Sequence, residues 1–593
     1  MRGSAIASEG DVDLSARGSV NITAATSTLT ERHHKEVKES GFLSGGGFGI
    51  SYGERTTTTD QARDATTQSG QSRSMVGSLG GNLNITAGDA IKVSGSDLHA
   101  GRDMTLEGKS VTVDSGRDNV HDKFEQSTVQ DGLTLAVGGS VVGALQTMHA
   151  MKDAASQSKD GRVQALAAAT AALAAKNTAN DIAQNGLNVS VSLTVGHSES
   201  HTSKTSGGSG NAGSTLKAGN DIKIVATGGG EASNINIVGS DVTAGGNVKL
   251  KADNEVNLIA AQDTESQHTD SSSMSAAAGV GASFGTSGTS IGFTASVSVG
   301  KGKEDGKGTT QLNTHVTAGN GLVIDSGGDT NIRGAVATGK QVVAKVGGDL
   351  NMESLQDTAT FDSKNQSLSA SGTVGMGVSV SGSFSDSKLK SDYASVQEQS
   401  GIRAGAGGFQ VIVDGNTDLK GGVVSSSQEA IADGKNSLST GTLTVSDVAN
   451  HADYKGHSVG LSGGVGSKGD SRDAAPNTAG VAGDSWKMMQ TGGTGMNAPI
   501  AMGARDSASS TTHSGISGGL LSITNDQQQQ ALTGMSAGQV LAELNRDVSN
   551  ERDTSGKIEN KFDQASIQAG FEVVGALSGQ VSTFLADQAR ATD

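Results

Sequence analysis

Short apolar–polar alternations recur along the whole chain, separated by Gly, Asn and Asp. The pairs Ile222/Ile224, Ile235/Ile237 and Val248/Leu250 follow one another at thirteen-residue steps. Each pair puts two side chains on one face of a short strand. The residues between them supply turns that tolerate positive φ. Short strands at a regular step predict a β-solenoid, in which each coil stacks its apolar stripe on the next. A β-sandwich would show longer strands and more aromatics. Internal repeats support the solenoid. Gly95-Ser96-Asp97 precedes Ala100-Gly101, Met104, Leu106, Val111 and Val113; Gly239-Ser240-Asp241 precedes Ala244-Gly245, Val248, Leu250, Val256 and Leu258. A looser block runs from Thr338-Gly339 through Val342, Val346, Leu350 and Met352, and partial copies lie near 6–23 and 409–445. Each full block ends in a polar group read as a turn: Gly116-Arg117-Asp118, Gln262-Asp263-Thr264, Gln356-Asp357-Thr358.

A second pattern has longer alternations. Leu187, Val189, Val191, Leu193 and Val195 alternate with Asn, Ser and Thr. Ile291, Phe293, Ala295, Val297 and Val299 do the same, as do Val374, Met376, Val378 and Val380. Shorter versions are Phe48/Ile50/Tyr52, Leu133/Leu135/Val137 and Val459/Leu461. Residues 274–284 and 291–299 flank a turn-rich stretch and predict one hairpin. The opposite face of these strands is small and polar. Nine residues at about 3.3 Å each span about 30 Å, the thickness of a hydrocarbon core. The pattern is that of strands in outer-membrane barrels, so these apolar residues are candidates for membrane contact. The plainer reading is amphipathic hairpins packed on the solenoid's flank.

Helical signals fall in two places. Residues 141–184 are Ala-rich, with a polar break at 156–161. Near the C-terminus, Ile567, Phe571, Val574, Leu577, Val581, Phe584 and Leu585 form one stripe at three- and four-residue gaps. That stripe predicts a helix packed on a neighbour; it lacks the basic cluster of a membrane-surface helix. The expected organisation is β repeats with a hairpin over 1–140, a helical segment over 141–186 and β repeats with hairpins over 187–466. A Gly/Ser/Asn-rich linker over 467–531 and a helical segment over 532–593 complete it.

Composition sharpens this picture. Of 593 residues 87 are Gly, two are Pro, none is Cys, and aromatics are 3%. Few large side chains argue against a packed enzyme core. The near absence of Pro excludes collagen, and the recurring alternations exclude wholesale disorder. A net charge of −17 repels nucleic acid and anionic lipid headgroups, and no strong basic patch offsets this. Without Cys there are no disulfides, thiolate zinc sites or thiol nucleophiles. A chain threaded unfolded through a narrow pore would benefit from their absence. Met1-Arg2-Gly3-Ser4 is not followed by the apolar core of a signal peptide, so it reads as an expression scar or an arbitrary start inside a longer open reading frame.

Candidate chemistry is weak. Gly334 to Lys340 nearly matches a phosphate loop, but Gln341 stands where the magnesium-binding hydroxyl belongs. Asp414, Asn416 and Asp418 open like a calcium loop, but Leu419 and Ser425 break it. His33-His34 point to opposite faces of a strand, and the twelve His show no triad-like grouping. The sequence therefore assigns no catalytic, cofactor-binding or metal-binding residue, no small-molecule substrate and no nucleic-acid partner.

The run from Gly95 to Val113 and the segment Ala218-Gly-Asn-Asp-Ile-Lys-Ile resemble haemagglutinin repeats, and this resemblance covers about residues 5–460. Such repeats belong to filamentous-haemagglutinin-like exoproteins of two-partner secretion systems. The segment from Leu532 is similar to the region ahead of the pretoxin part of contact-dependent growth-inhibition (CdiA-like) effectors. The resemblance implies a structural and translocation stalk of a secreted, cell-surface exoprotein that delivers a C-terminal toxin into neighbouring bacteria. Its implied partners are the outer-membrane secretion pore of its own cell and the outer membrane or a surface receptor of the target. The alternative is a haemagglutinin-type adhesin that binds host-cell or bacterial surfaces; a haemolysin is a third, weaker option. The sequence contains no Val-Glu-Asn-Asn pretoxin motif, so the resemblance implies delivery rather than toxic activity.

Overall fold

Three short strands make one coil. Leu216/Ala218, Ile222/Ile224 and Ile235/Ile237 point inward from three faces, and Val242/Ala244, Val248/Leu250 and Val256/Leu258 repeat them one coil on. The thirteen-residue step thus runs from face to face, while stacking joins Ile222 to Val248 and Ile235 to Val256. The structure, a computed structural model, describes residues 1–44, 49–285, 288–375, 378–467, 495–496 and 500–592. Its coils form a 25-stranded parallel sheet wound into a β-solenoid. One inner column runs Leu83, Met104, Ile222, Val248, Leu322, Val342, Phe409, each fully buried on the next. Dense stacking of this kind fills a core with few aromatics.

The Gly-Ser-Asp motif has a specific task at one corner. Gly239 has a φ of 51°, and a Cβ there would lie 2.4 Å from that of Ala261. Only glycine takes this turn cheaply. The buried hydroxyl of Ser240 accepts from the Ser214 amide at 3.0 Å and donates to the Val238 carbonyl at 2.9 Å. Ser214 does the same for Ser96, so a hydroxyl ladder climbs the corner and satisfies amides that the turn would orphan.

From this corner the chain leaves the solenoid to build a second sheet, here termed the wing. Its long strands are β1 (Ser27–Ser44), β2 (Gly49–Thr67), β3 (Gly116–Gly138), β4 (Val189–Ala212) and β5 (Ala261–Gly285). They continue with β6 (Gly288–Leu312), β7 (Gln356–Gly375), β8 (Val378–Val396), β9 (Val448–Ser467) and β10 (Ile500–Thr512). Together with the short strand Gly495–Met496 they form an 11-stranded antiparallel sheet, each long strand paired with the next. The first hairpin leaves after one coil, and each later one after two more. A coil rises about 4.8 Å, the same as the spacing of neighbouring strands. Two coils therefore advance the solenoid by the width of one hairpin, and successive hairpins meet edge to edge.

The polar groups read as turns are instead strand starts. Asp118 accepts from the Gln68 amide, Asp263 from that of Asn211 and Asp357 from that of Gln311, at 2.6, 2.7 and 2.8 Å. Each carboxylate fastens a departing strand to the end of the wing strand before it. Asn450 repeats the device on the Val396 amide at 3.0 Å.

The Ala-rich segment forms α1 (Ser140–Gln157) and α2 (Gly161–Asn185), inserted between β3 and β4 through Gly139 and Gly186, at φ of 120° and 72°. The expected linker is not loop throughout. Within it, β10 pairs with β9, and Gly515–Ile516 and Leu520–Ile523 stack on the solenoid; residues 468–494 and 497–499 lie outside the described ones. Its Ser- and Gly-rich composition matches that of wing strands elsewhere, which hides the strand signal. Helices α3 (Asp526–Thr533) and α4 (Ala537–Glu543) close the solenoid's end. There the buried Gln529 amide accepts from Leu443 N at 2.7 Å and donates to Leu443 O at 3.0 Å, standing in for a further strand. Helix α5 (Gln564–Thr592) packs on α1 and α2 through Met151, Ala154, Ala167, Ala569 and Val573. The buried face is thus rotated from the expected stripe: Val574, Val581 and Leu585 are exposed. Alanines on all three helices allow the close approach that fixes this rotation.

Candidate functional site

The wing's apolar alternations align in register. Ile50, Leu135, Leu193, Val280, Phe293, Val374 and Val378 stand opposite one another across seven neighbouring strands. Nearer the solenoid, Val299, Leu368, Phe384 and Leu461 form another row. All of these share one face near the hairpin tips, and all are exposed, Phe293 at 72% and Leu368 at 58%. An exposed apolar face crossing this many strands exceeds the patches that soluble monomers ordinarily leave open.

The other face is small, polar and covered. Ser51, Ser192, Thr194 and Thr294 are buried there. Hydroxyls pair across strands, as in Ser369–Ser383 and Ser371–Ser381 at 2.7 Å. Phe571 of α5 lies over Gly456, beside the buried Leu389.

Of the candidate residues, Val189, Val191, Leu193 and Val195 lie on β4, Ile291, Phe293, Val297 and Val299 on β6, Val374 on β7, and Val378 and Val380 on β8. Register brings these onto the one face. Leu187 precedes β4, because Gly186 ends α2 and the strand begins only at Val189. Met376 lies outside the described residues. The sequence reading missed Phe42, Leu368 and Phe384, because the residues two positions away on either side are polar or small and mark no apolar alternation. Their partners across the strands, Tyr52 and Val299 among them, carry the missing signal.

Toward the solenoid the same face turns ionic. His268 bridges Asp305 and Asp270 at 2.6 and 2.7 Å, and these hydrogen bonds raise its pKa above the usual value. The basic residues, scattered in sequence, are gathered here. Lys303, Lys364, Lys388 and His457 stand opposite one another on four adjacent strands, as do Lys390, Lys455 and Arg505 on three. This corrects the expectation that no basic patch offsets the acidic surface. Where wing and solenoid meet, His315 bridges Asp241 and Glu398, both at 3.0 Å. Hydrogen bonds to these carboxylates push its pKa up to about 10. Among the described residues, no cluster of three His, Cys, Asp or Glu converges to hold a metal ion, and no helix is long and apolar enough to cross a membrane.

The family model for the hemagglutinin repeat matches residues 56–191 and 193–368, more than half of the chain. The chain belongs to the hemagglutinin-repeat family. Both matched segments begin and end inside wing strands, so the family repeat includes coil and wing together. This hemagglutinin-repeat chain is 38% identical over 605 residues to toxin CdiA of Escherichia coli, a match covering 98% of the chain and 18% of that protein. It is 38% identical to the tRNA nuclease CdiA of Escherichia coli strain NC101, covering 100% of the chain and 17% of that protein. It is 32% identical to the deoxyribonuclease CdiA of Yersinia pseudotuberculosis serotype O:3 (strain YPIII), covering 100% and 53%. The chain thus spans less than a fifth of the first two relatives and about half of the third. No solved structure matches it.

Proposed function

We propose that this chain is the stalk-and-translocation part of a secreted, cell-surface exoprotein that delivers a C-terminal toxin into neighbouring bacteria. The solenoid serves as the rod, and the wing tips enter the target cell's outer membrane. The observation that carries this reading is the set of exposed apolar rows on one face of the wing, about 30 Å deep, backed by a small polar face. Relatives named as toxins and nucleases support a toxic cargo in proteins of this kind. The match to the hemagglutinin-repeat family supports a mechanical part for this chain. Its partners are the outer-membrane secretion pore of the producing cell and the outer membrane or a surface receptor of the target.

Protease protection tests the reading. Incubation with outer-membrane vesicles is expected to shield 189–195 and 291–299 from proteinase K while the solenoid's accessibility stays the same. Unchanged cleavage at both segments would remove the membrane role. Cell binding that survives Phe293→Ser and Val374→Ser in the absence of such protection would favour an adhesin.

A further inference from the structure

Two runs of directly opposed cations lie on the wing's exposed face, between the apolar tips and the solenoid. Lys303, Lys364 and Lys388 occupy three neighbouring strands at one level. Lys390, Lys455 and Arg505 occupy three at the next level toward the solenoid. Like charges directly opposite one another destabilise a sheet. Carboxylates offset part of this: Asp305 lies 3.5 Å from Lys303, Asp386 3.9 Å from Lys388, and Asp362 2.6 Å from Lys390. Lys364, Lys455 and Arg505 have no ion pair among the described residues. On a chain with a net charge of −17, these rows are a local reversal of sign.

Their position is as informative as their charge. On β6 the apolar face runs from Ile291 to Val299, about 30 Å, and Lys301 and Lys303 follow immediately toward the solenoid. A headgroup layer about 5–8 Å thick borders each side of a hydrocarbon core. Long Lys side chains bury their stems and extend the ammonium to that boundary. With the tips at full depth, the first cation row comes within reach of the phosphate layer.

We propose that the two cation rows bind the phosphates of anionic lipid headgroups and so set the depth to which the wing enters a membrane. This rests on the membrane reading of the tips given above. A nucleic-acid duplex fits less well, because the rows border an apolar face on one side and an acidic solenoid on the other.

Co-sedimentation of the full 593-residue chain with lipid vesicles provides the test, using phosphatidylcholine alone or mixed with phosphatidylglycerol. The variants are K303Q/K364Q/K388Q, K390Q/K455Q/R505Q and, at the tips, F293S/V374S/V378S. The cation variants remove like-charge contacts together with exposed ion pairs of small worth, and an unchanged thermal unfolding curve checks that folding is preserved. Each is expected to bind phosphatidylglycerol vesicles about 100-fold more weakly, from a factor of about five for each of three cations at the surface. Binding to neutral vesicles is expected to match the unsubstituted chain, and the tip variant to lose both. If the cation variants keep full affinity for phosphatidylglycerol vesicles while the tip variant loses it, this proposal falls and the membrane reading stands. If the unsubstituted chain binds neither vesicle, both fall. Loss of DNA binding in the cation variants with vesicle binding unchanged would assign the rows to nucleic acid and overturn the proposal.

Discussion

Solenoid and wing are built by one chain from the same small set of residues at the same strand spacing, yet they treat apolar side chains in opposite ways. In the solenoid, three faces converge and every inward side chain also stacks on the coils before and after it. Leu250 is fully buried. In the wing, a single layer is packed on one side by α1 and α5, and Phe293 on the other side meets solvent. Alternation therefore marks a two-faced strand, not a core. What closes over the apolar face decides whether it stabilises the fold or remains available to a partner.

That contrast sets the order of the expected effects. Leu250→Ala should cost about 2–5 kcal/mol in chemical denaturation, because it removes buried methyl groups from a packed column. Phe293→Ala, at an exposed position, should stay within about 0.5 kcal/mol. Equal losses at the two sites would abolish the distinction between core and available face. Gln529→Ala should cost about 1–3 kcal/mol by leaving the amide and carbonyl of Leu443 unpaired. Its signature is faster hydrogen exchange in the strand Ser437–Ser446 with exchange in the wing unchanged; equal acceleration in both would show that they unfold as one unit.

A small, pH-dependent effect concerns the junction between the two regions. The pKa of His315 is raised from 6.5 to about 10 by Asp241 and Glu398. Protonated His315 therefore contributes stability that is fully present below about pH 6.5 and is lost as pH rises through about 10. Because the side chain is 42% exposed, solvent screens the pairs and the contribution should be below about 1 kcal/mol. The stability difference between the unsubstituted chain and His315→Gln should shrink between pH 6 and pH 10. A pH-independent difference would assign His315 a packing role only.

The solenoid was legible because its apolar pairs recur at fixed steps between turn residues. The thirteen-residue step stops short of the coil, since Ile222 and Ile235 look alike in sequence while facing inward from different sides. The tips were legible wherever Val, Ile, Leu or Phe alternated over several positions. Leu368, flanked by Ser367 and Ser369 with Gln366 and Ala370 beyond, was not. The helices were legible by composition, but the buried face of α5 was not, because Ala569 signals less strongly than Leu585 and packs more closely. Least legible were the cation rows. Lys303, Lys364 and Lys388 lie tens of residues apart, and only strand register places them side by side.

The match between coil rise and hairpin width restricts how such a molecule can change length. One extra coil would shift all later hairpins by a single strand and leave a gap the width of that strand in the wing. Two coils with one hairpin form the smallest insertion that keeps the sheet unbroken. Growth or shortening of the rod is thereby indexed, like the teeth of a rack, and the wing acts as its register mark.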